Sequence, residues 1–204
     1  MATYYINGLG SNTYPYDTAA KGANTFKILF EGVSFVDGST IYVTDDAEIN
    51  ENQTWDNHLN RFDMSIESAP ENASKPTINV GGTKDSLLSY EILFYFVHTN
   101  FVLVLKDLVI KMEGKDYRGL INTLANTYNA WNGSIIENCE IYVNTEPGNQ
   151  DYLMDVFWDI PYTYDIAILS SKIHIGCHQG WSIFLAIQAP GDMSGLPATF
   201  LPYL

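Results

Sequence analysis

The segment DVFWDIPYTYD sets Asp155 and Asp159 on either side of Trp158, with Tyr162, Tyr164 and Asp165 close behind. Aromatic faces stack on sugar rings, and carboxylates and amides hydrogen-bond sugar hydroxyls, so these are the side chains of a glycan groove. Upstream, NTYNAWNG supplies Tyr128, Asn129, Trp131 and Asn132. Stacking the two segments would give a ladder of aromatics along one side. Asp155 and Asp159 are also the candidate catalytic pair, because glycoside hydrolysis uses two carboxyl groups, an acid and a base, at a set separation. The alternative role for Trp131 and Trp158 is to plug the interior or cover a corner.

A second acidic group, Asp45, Asp46 and Glu48, follows the run TIYV. These residues are the candidate metal ligands, and calcium is the one cofactor they leave room for. Neighbours on a strand point to opposite faces, so Asp45 and Asp46 do not make a dyad by adjacency alone. A solvated turn after the strand accounts for the same residues. Cys177 and His178 are adjacent with no second His/Cys pair at ligand spacing, which argues against zinc. There is no nucleophile elbow, phosphate-binding glycine loop or CxxC.

What would position such residues is a repeat. Setting Ile78, Ile110, Ile141 and Ile173 in register gives spacings of 32, 31 and 32 residues. Two residues on fall Val80, Met112, Val143 and Ile175; two back fall Pro76, Leu108, Cys139 and Ser171; five back fall Ala73, Leu105, Ile136 and Ile168. The positions between are mostly polar, including Lys75, Asp107, Asn138 and Ser170 three back and Asn79, Lys111, Tyr142 and His174 one forward. Period two means a strand with one inner face, and the odd step of three means a corner. Ile136, Cys139, Ile141 and Val143 should therefore face the interior, with Cys139 a buried, unpaired thiol. Cys139 and Cys177 are offset by six register positions, on the order of 20 Å along a strand, against the roughly 7 Å that a disulfide spans.

Further strands are expected in RFDMSIES (Phe62, Met64, Ile66), EILFYFV, GLINTL and MDVFW. Before the repeat, Ala19, Ala23, Phe26, Phe30 and Val33 follow helical spacing, with Asp17 or Thr18 as N-cap and Gly32 as the stop. That predicts one amphipathic helix capping the open end of a stack of coils. At the other end, GWSIFLAIQAP reads as a last strand, and the apolar tail with Leu196, Phe200, Leu201 and Leu204 as a fold-back over the open end.

The opening YYINGLGSNTYPYDTAAKGANTFKILFEGV, with the coils VLKDLVIKM, IIENCEIYV and ILSSKIHIG, resembles the right-handed parallel β-helix, or pectin-lyase-like, superfamily. The resemblance implies an all-β fold, a single β-helix domain over 1–204. Its parts would be an N-terminal strand and cap helix in 1–40, coils in 41–187 and a tail or cap in 188–204. Such folds carry many functions. Pectate-lyase-like catalysis needs an arginine among calcium-holding carboxylates, whereas Arg61 and Arg118 lie outside the aligned columns. The closest character is that of non-catalytic, adhesin-like surface proteins. A polysaccharide lyase or glycoside hydrolase using Asp155 and Asp159 is the enzyme alternative, and a homotrimeric phage or viral tail fibre is the third.

The charge narrows the partners. With 24 acidic against 10 basic residues, the formal charge of −14 repels phosphate backbones and anionic headgroups, so nucleic acid is not expected. No apolar run is long enough for a membrane span. A polysaccharide or a surface protein is the expected partner. The start MATYYING lacks the features of a signal peptide, while sequons at Asn52, Asn72 and Asn132 fit an extracellular or cell-surface protein.

Overall fold

The computed structural model describes residues 2–45, 49–51, 63–80, 91–96, 102–112, 117–123, 132–145, 154–161, 164–177 and 182–188. They form β1 (Thr3–Ile6), α1 (Phe26–Gly32), β2 (Ser39–Val43), β3 (Ile49–Glu51), β4 (Met64–Ser68), β5 (Thr77–Val80), β6 (Glu91–Phe96) and β7 (Val102–Lys106). Then come β8 (Val109–Met112), β9 (Tyr117–Thr123), β10 (Asn132–Glu137), β11 (Glu140–Thr145), β12 (Met154–Pro161), β13 (Tyr164–Leu169), β14 (Lys172–Cys177) and β15 (Ser182–Gln188). The class is all-β, and the strands pair in parallel in three sheets. The first sheet runs β1-β2-β4-β7-β10-β13, the second β3-β5-β8-β11-β14 and the third β6-β9-β12-β15. From β4 onward each strand pairs with the strand three further along the chain. Among the described residues no helix is long and apolar enough to cross a membrane.

The register is that of the sequence columns. Ile78 pairs with Ile110, Ile110 with Ile141, and Ile141 with Ile173, with Val80, Met112, Val143 and Ile175 two residues on. Ile49 extends the column at its start by pairing with Ile78. Ile41, Ile66, Leu105 and Ile136 form the inner column of the first sheet, all fully buried. Each such side chain contributes about 1.5–3 kcal/mol by leaving water. The Ile136, Cys139 and Ile141 side chains are inside as expected.

Two expectations need correction. Ala73 does not share the column of Leu105 and Ile136; Ile66 holds that place. Later corners take two residues between strands, Asp107–Leu108, Asn138–Cys139 and Ser170–Ser171, but the β4–β5 corner spans 69–76, and Ala73 sits in its bend. The helix is also not continuous. A 3-10 turn at Ala19–Lys21 capped by Thr18 stops at Gly22, and α1 restarts with Thr25, whose hydroxyl accepts from the Ile28 amide. Between them Ala23 bridges to Ile6, taking the Asn7 amide on its carbonyl and donating to the Tyr5 carbonyl. The Asn24 side-chain amide donates to the carbonyls of Asn7, Gly8 and Gly10. Backbone pairing to β1 thus outcompetes helix propensity over Gly22–Asn24. Gly32 has its own reason: a Cβ there would meet the Tyr16 hydroxyl oxygen at 2.8 Å.

α1 nevertheless supplies buried apolar surface at this end. Phe26, Leu29 and Phe30 are buried and join Ile6, Ile41 and Ile66 in the same core cluster that continues to Ile110, Ile136 and Ile141. Phe35 closes the packing, with its ring 5.1 Å from Phe30 and 5.2 Å from Tyr4. The tail 189–204, Phe62 and the loops around the third sheet lie outside the described residues.

Candidate functional site

The two-residue corners fix how side chains leave the second sheet. Asp107, Asn138 and Ser170 take φ values of 56°, 50° and 50°, the left-handed region. Asp and Asn tolerate that region because their short polar side chains bond locally. The Asn138 amide donates to Asp107 Oδ1 and accepts from Lys75 Nζ at 3.1 Å, tying three successive corners together. Behind each corner the next residue turns inward. Cys139 Nα–H donates to Ser171 Oγ, and its thiol lies 3.3 Å from the Glu137 carbonyl. Burial is the main cause that pushes this thiol up to about 11. It is therefore a packed small side chain and not a nucleophile.

Leaving the corner, β11 and β14 carry outward rows. Tyr142 and His174 pair in register, and their rings stack at 4.6 Å with 4° between planes. Lys111 precedes Tyr142 and Asn79 precedes Lys111 in the same row. In the adjoining row Glu140 faces Lys172. Glu140 Oε1 lies 3.9 Å from Lys75 Nζ and 4.0 Å from Lys172 Nζ, and its Oε2 lies 3.3 Å from the Tyr142 hydroxyl. Desolvation, then the Glu140 carboxylate, raises the Tyr142 phenol above its ordinary value. The surface thus offers a stacked aromatic pair, cationic donors and a carboxylate acceptor on one sheet face. Such a face can hydrogen-bond hydroxyls and take a ring against His174, which is exposed.

The sequence candidates fall elsewhere. Asp45 is part of a corner clasp: its Oδ2 accepts from the Ala73 amide at 3.1 Å, the Ser74 amide at 2.9 Å and the Ser74 hydroxyl at 3.0 Å. These bonds, led by the Ser74 amide, hold its carboxyl below the usual range. Asn72 completes the clasp, accepting from the Asp45 amide and donating to the Val43 carbonyl and Ser68 hydroxyl. The side-chain nitrogen of that sequon is therefore engaged within the fold. Asp46 and Glu48 lie outside the described residues, as do Tyr128, Asn129, Trp131 and Tyr162.

Asp155, Trp158 and Asp159 all belong to β12. Asp155 stands in register with Gly119 of β9 and Ile183 of β15, and Trp158 with Asn122 of β9. The pairing with β15 shifts register between Phe157 and Ile160, the interval that holds Trp158 and Asp159. Among the described residues no three ligating side chains gather as a metal group. The repeat sets Tyr142 and His174 in one column, but it does not by itself show that their rings stack. The available signal was two aromatic rings at one register position in successive repeats. Compared with protein-family models, with curated proteins and with solved structures, the chain finds no match.

Proposed function

We propose that the three sheets are the faces of a right-handed parallel β-helix, capped by α1. We further propose that the protein is an extracellular or cell-surface module, adhesin-like and non-catalytic. It binds a glycan along the lateral face formed by β8, β11 and β14. The observation that supports this reading is the Tyr142–His174 stack bordered by Lys111, Glu140 and Lys172. Sugar recognition needs an aromatic surface beside fixed donors and acceptors, and the parallel register holds neighbouring side chains within each row about 4.8 Å apart.

The test is a binding titration against neutral and acidic polysaccharides, with Tyr142→Ala and His174→Ala alongside the native chain. Loss of the aromatic pair should weaken binding by about tenfold, the order of a stacking contact of about 1 kcal/mol or somewhat more. Binding that both variants leave intact would move the ligand off this face. The same polysaccharides incubated with and without calcium should stay intact. Depolymerisation products would instead favour a lyase or hydrolase at Asp155 and Asp159, and a native trimer would favour the fibre.

A further inference from the structure

In the first three strands of the first sheet the inner positions are apolar and buried: Ile6 on β1, Ile41 and Val43 on β2, Met64 and Ile66 on β4. The residues between them belong to the opposite face, where they fall into two rows. Thr3, Thr40 and Ser65 pair in register in one row, and Tyr5, Tyr42 and Glu67 in the other. The Tyr5 and Tyr42 rings lie 5.5 Å apart and are tilted by 49°, so the pair is splayed rather than stacked flat. Both side chains are half-buried, and neither phenol hydroxyl has a hydrogen-bond partner among the described residues. Beside the rings a polar chain is already fixed. The Ser65 hydroxyl donates to Glu67 Oε1 at 3.0 Å and lies 3.2 Å from Thr40 Oγ1. Glu67 Oε2 has no partner among the described residues.

We propose that this face of β1, β2 and β4 is a second carbohydrate site, and that it takes a neutral glycan. The ligand class rests on the glycan reading given above, but the residues are different ones on a different sheet. A sugar ring sets its C–H face against an aromatic ring and offers a rim of hydroxyls to groups that donate or accept. The phenols and the Thr3 and Thr40 hydroxyls can do both, and Glu67 accepts. With row neighbours about 4.8 Å apart, two ring positions are followed directly by an acceptor. Charge selects the class. Burial first, then the Glu71 carboxylate, raises the Tyr5 phenol. Glu67 follows Tyr42 in its row, and Asp63 and Asp37 stand where β4 and β2 begin, the Asp63 amide donating to Asp37 Oδ1. A uronate laid on these rings would meet carboxylates, whereas the rings of the second sheet have Lys75, Lys111 and Lys172 around them. A basic partner fares no better than an acidic sugar, because Lys106 follows Glu67 in the row and lies 3.2 Å from Glu137.

Affinity electrophoresis of the full chain through gels holding a galactomannan, a xyloglucan, a dextran or polygalacturonate reads the two faces separately. At least one neutral polymer should retard the native chain, and Tyr5→Ala with Tyr42→Ala should weaken that binding by about tenfold or more, with the far-UV spectrum unchanged. If the double variant fails to fold, Tyr42→Thr, which keeps a strand-forming residue, takes its place. Tyr42→Phe preserves the ring and should retain most of the binding. Neutral-polymer binding that the folded double variant keeps and Tyr142→Ala removes overturns this proposal and leaves the earlier reading standing. The reverse pattern supports this proposal and overturns the earlier reading. Retardation by polygalacturonate that depends on Tyr42 overturns the neutral class, and no retardation in any gel overturns the site.

Discussion

Substitutions at Asn138 should destabilise the protein in an order opposite to that of an ordinary strand or helix site, with glycine the mildest. Asn138 holds φ at 50° and bonds Asp107 and Lys75 through its side chain. Glycine loses those bonds but adopts the left-handed region without strain, adding only about 0.4–1 kcal/mol of unfolded-chain entropy relative to alanine. Alanine loses the same bonds and meets a left-handed penalty of about 1–2 kcal/mol. The shared loss of the exposed bonds is about 1 kcal/mol. Glycine should therefore cost about 1.5–2 kcal/mol and alanine about 0.5–1 kcal/mol more than that. Valine, whose branched Cβ makes positive φ an outlier, should be worse than both. For a chain of this size the gap between glycine and alanine corresponds to about 1–4 °C in Tm. Urea melts of the three variants at matched pH read the order directly. An alanine variant as stable as the glycine variant would refute the left-handed corner, and with it the two-residue turn that sets the spacing of the rows.

Other perturbations have equally definite signs. The Cys139 thiol, pushed up to about 11 by burial, stays protonated in the folded chain while the unfolded thiol ionises near its ordinary value. Its contribution is complete below that ordinary value and is lost as pH rises toward 11, a decline of about 2–3 kcal/mol. Cys139→Ala should flatten the alkaline limb of a stability profile relative to the native chain, and identical limbs would contradict the burial. Asp45, held low by hydrogen bonds from the Ser74 amide first and then the Ser74 hydroxyl and Ala73 amide, stabilises the fold above the ordinary carboxylate pKa. That contribution is lost as pH falls through the lowered value. Asp45→Asn should therefore be less stable at neutral pH and lose less on acidification, as seen by acid titration with circular dichroism. Thr44 is buried with no hydrogen-bond partner for its hydroxyl among the described residues. Thr44→Val should raise stability by about 1 kcal/mol in a urea melt.

The columns at Ile78, Ile110, Ile141 and Ile173 were legible because short corners keep the spacing nearly constant, so one inward residue type recurs at one interval. Where a corner lengthens to 69–76, the same arithmetic misplaces Ala73, since sequence spacing carries no mark of how many residues a bend consumes. The single helix failed for a related reason. Apolar periodicity through Ala19, Ala23 and Phe26 was real, but the Gly22–Asn24 backbone had a better partner in β1, and Thr25 could start a new helix. The candidate surface was half visible. Tyr142 and His174 share a column in the repeat, but acidic and aromatic residues crowd together along the chain only in runs such as DVFWDIPYTYD. A parallel sheet assembles its surface across the chain instead, one residue from each repeat.

The pairing of each strand with the strand three further on also sets how far a forming contact must reach. From β7 onward the first two sheets join residues 31 or 32 apart, as in Leu105 to Ile136 to Ile168 and Ile110 to Ile141 to Ile173. The loop that must close before any one pair forms is thus the same length wherever in this stretch it lies, and its entropy varies only slowly with length. Contact order falls as repeats are added, because separation stays fixed while length grows. On the β-helix reading proposed above, each strand can add to its predecessor alone, and α1 with the Ile6–Ile41–Ile66 core offers a seed that needs no later strand. Excising one whole repeat between equivalent corners, for example 108–138, would bring Asp107 directly before Cys139 and leave every remaining strand a neighbour of the type it already has.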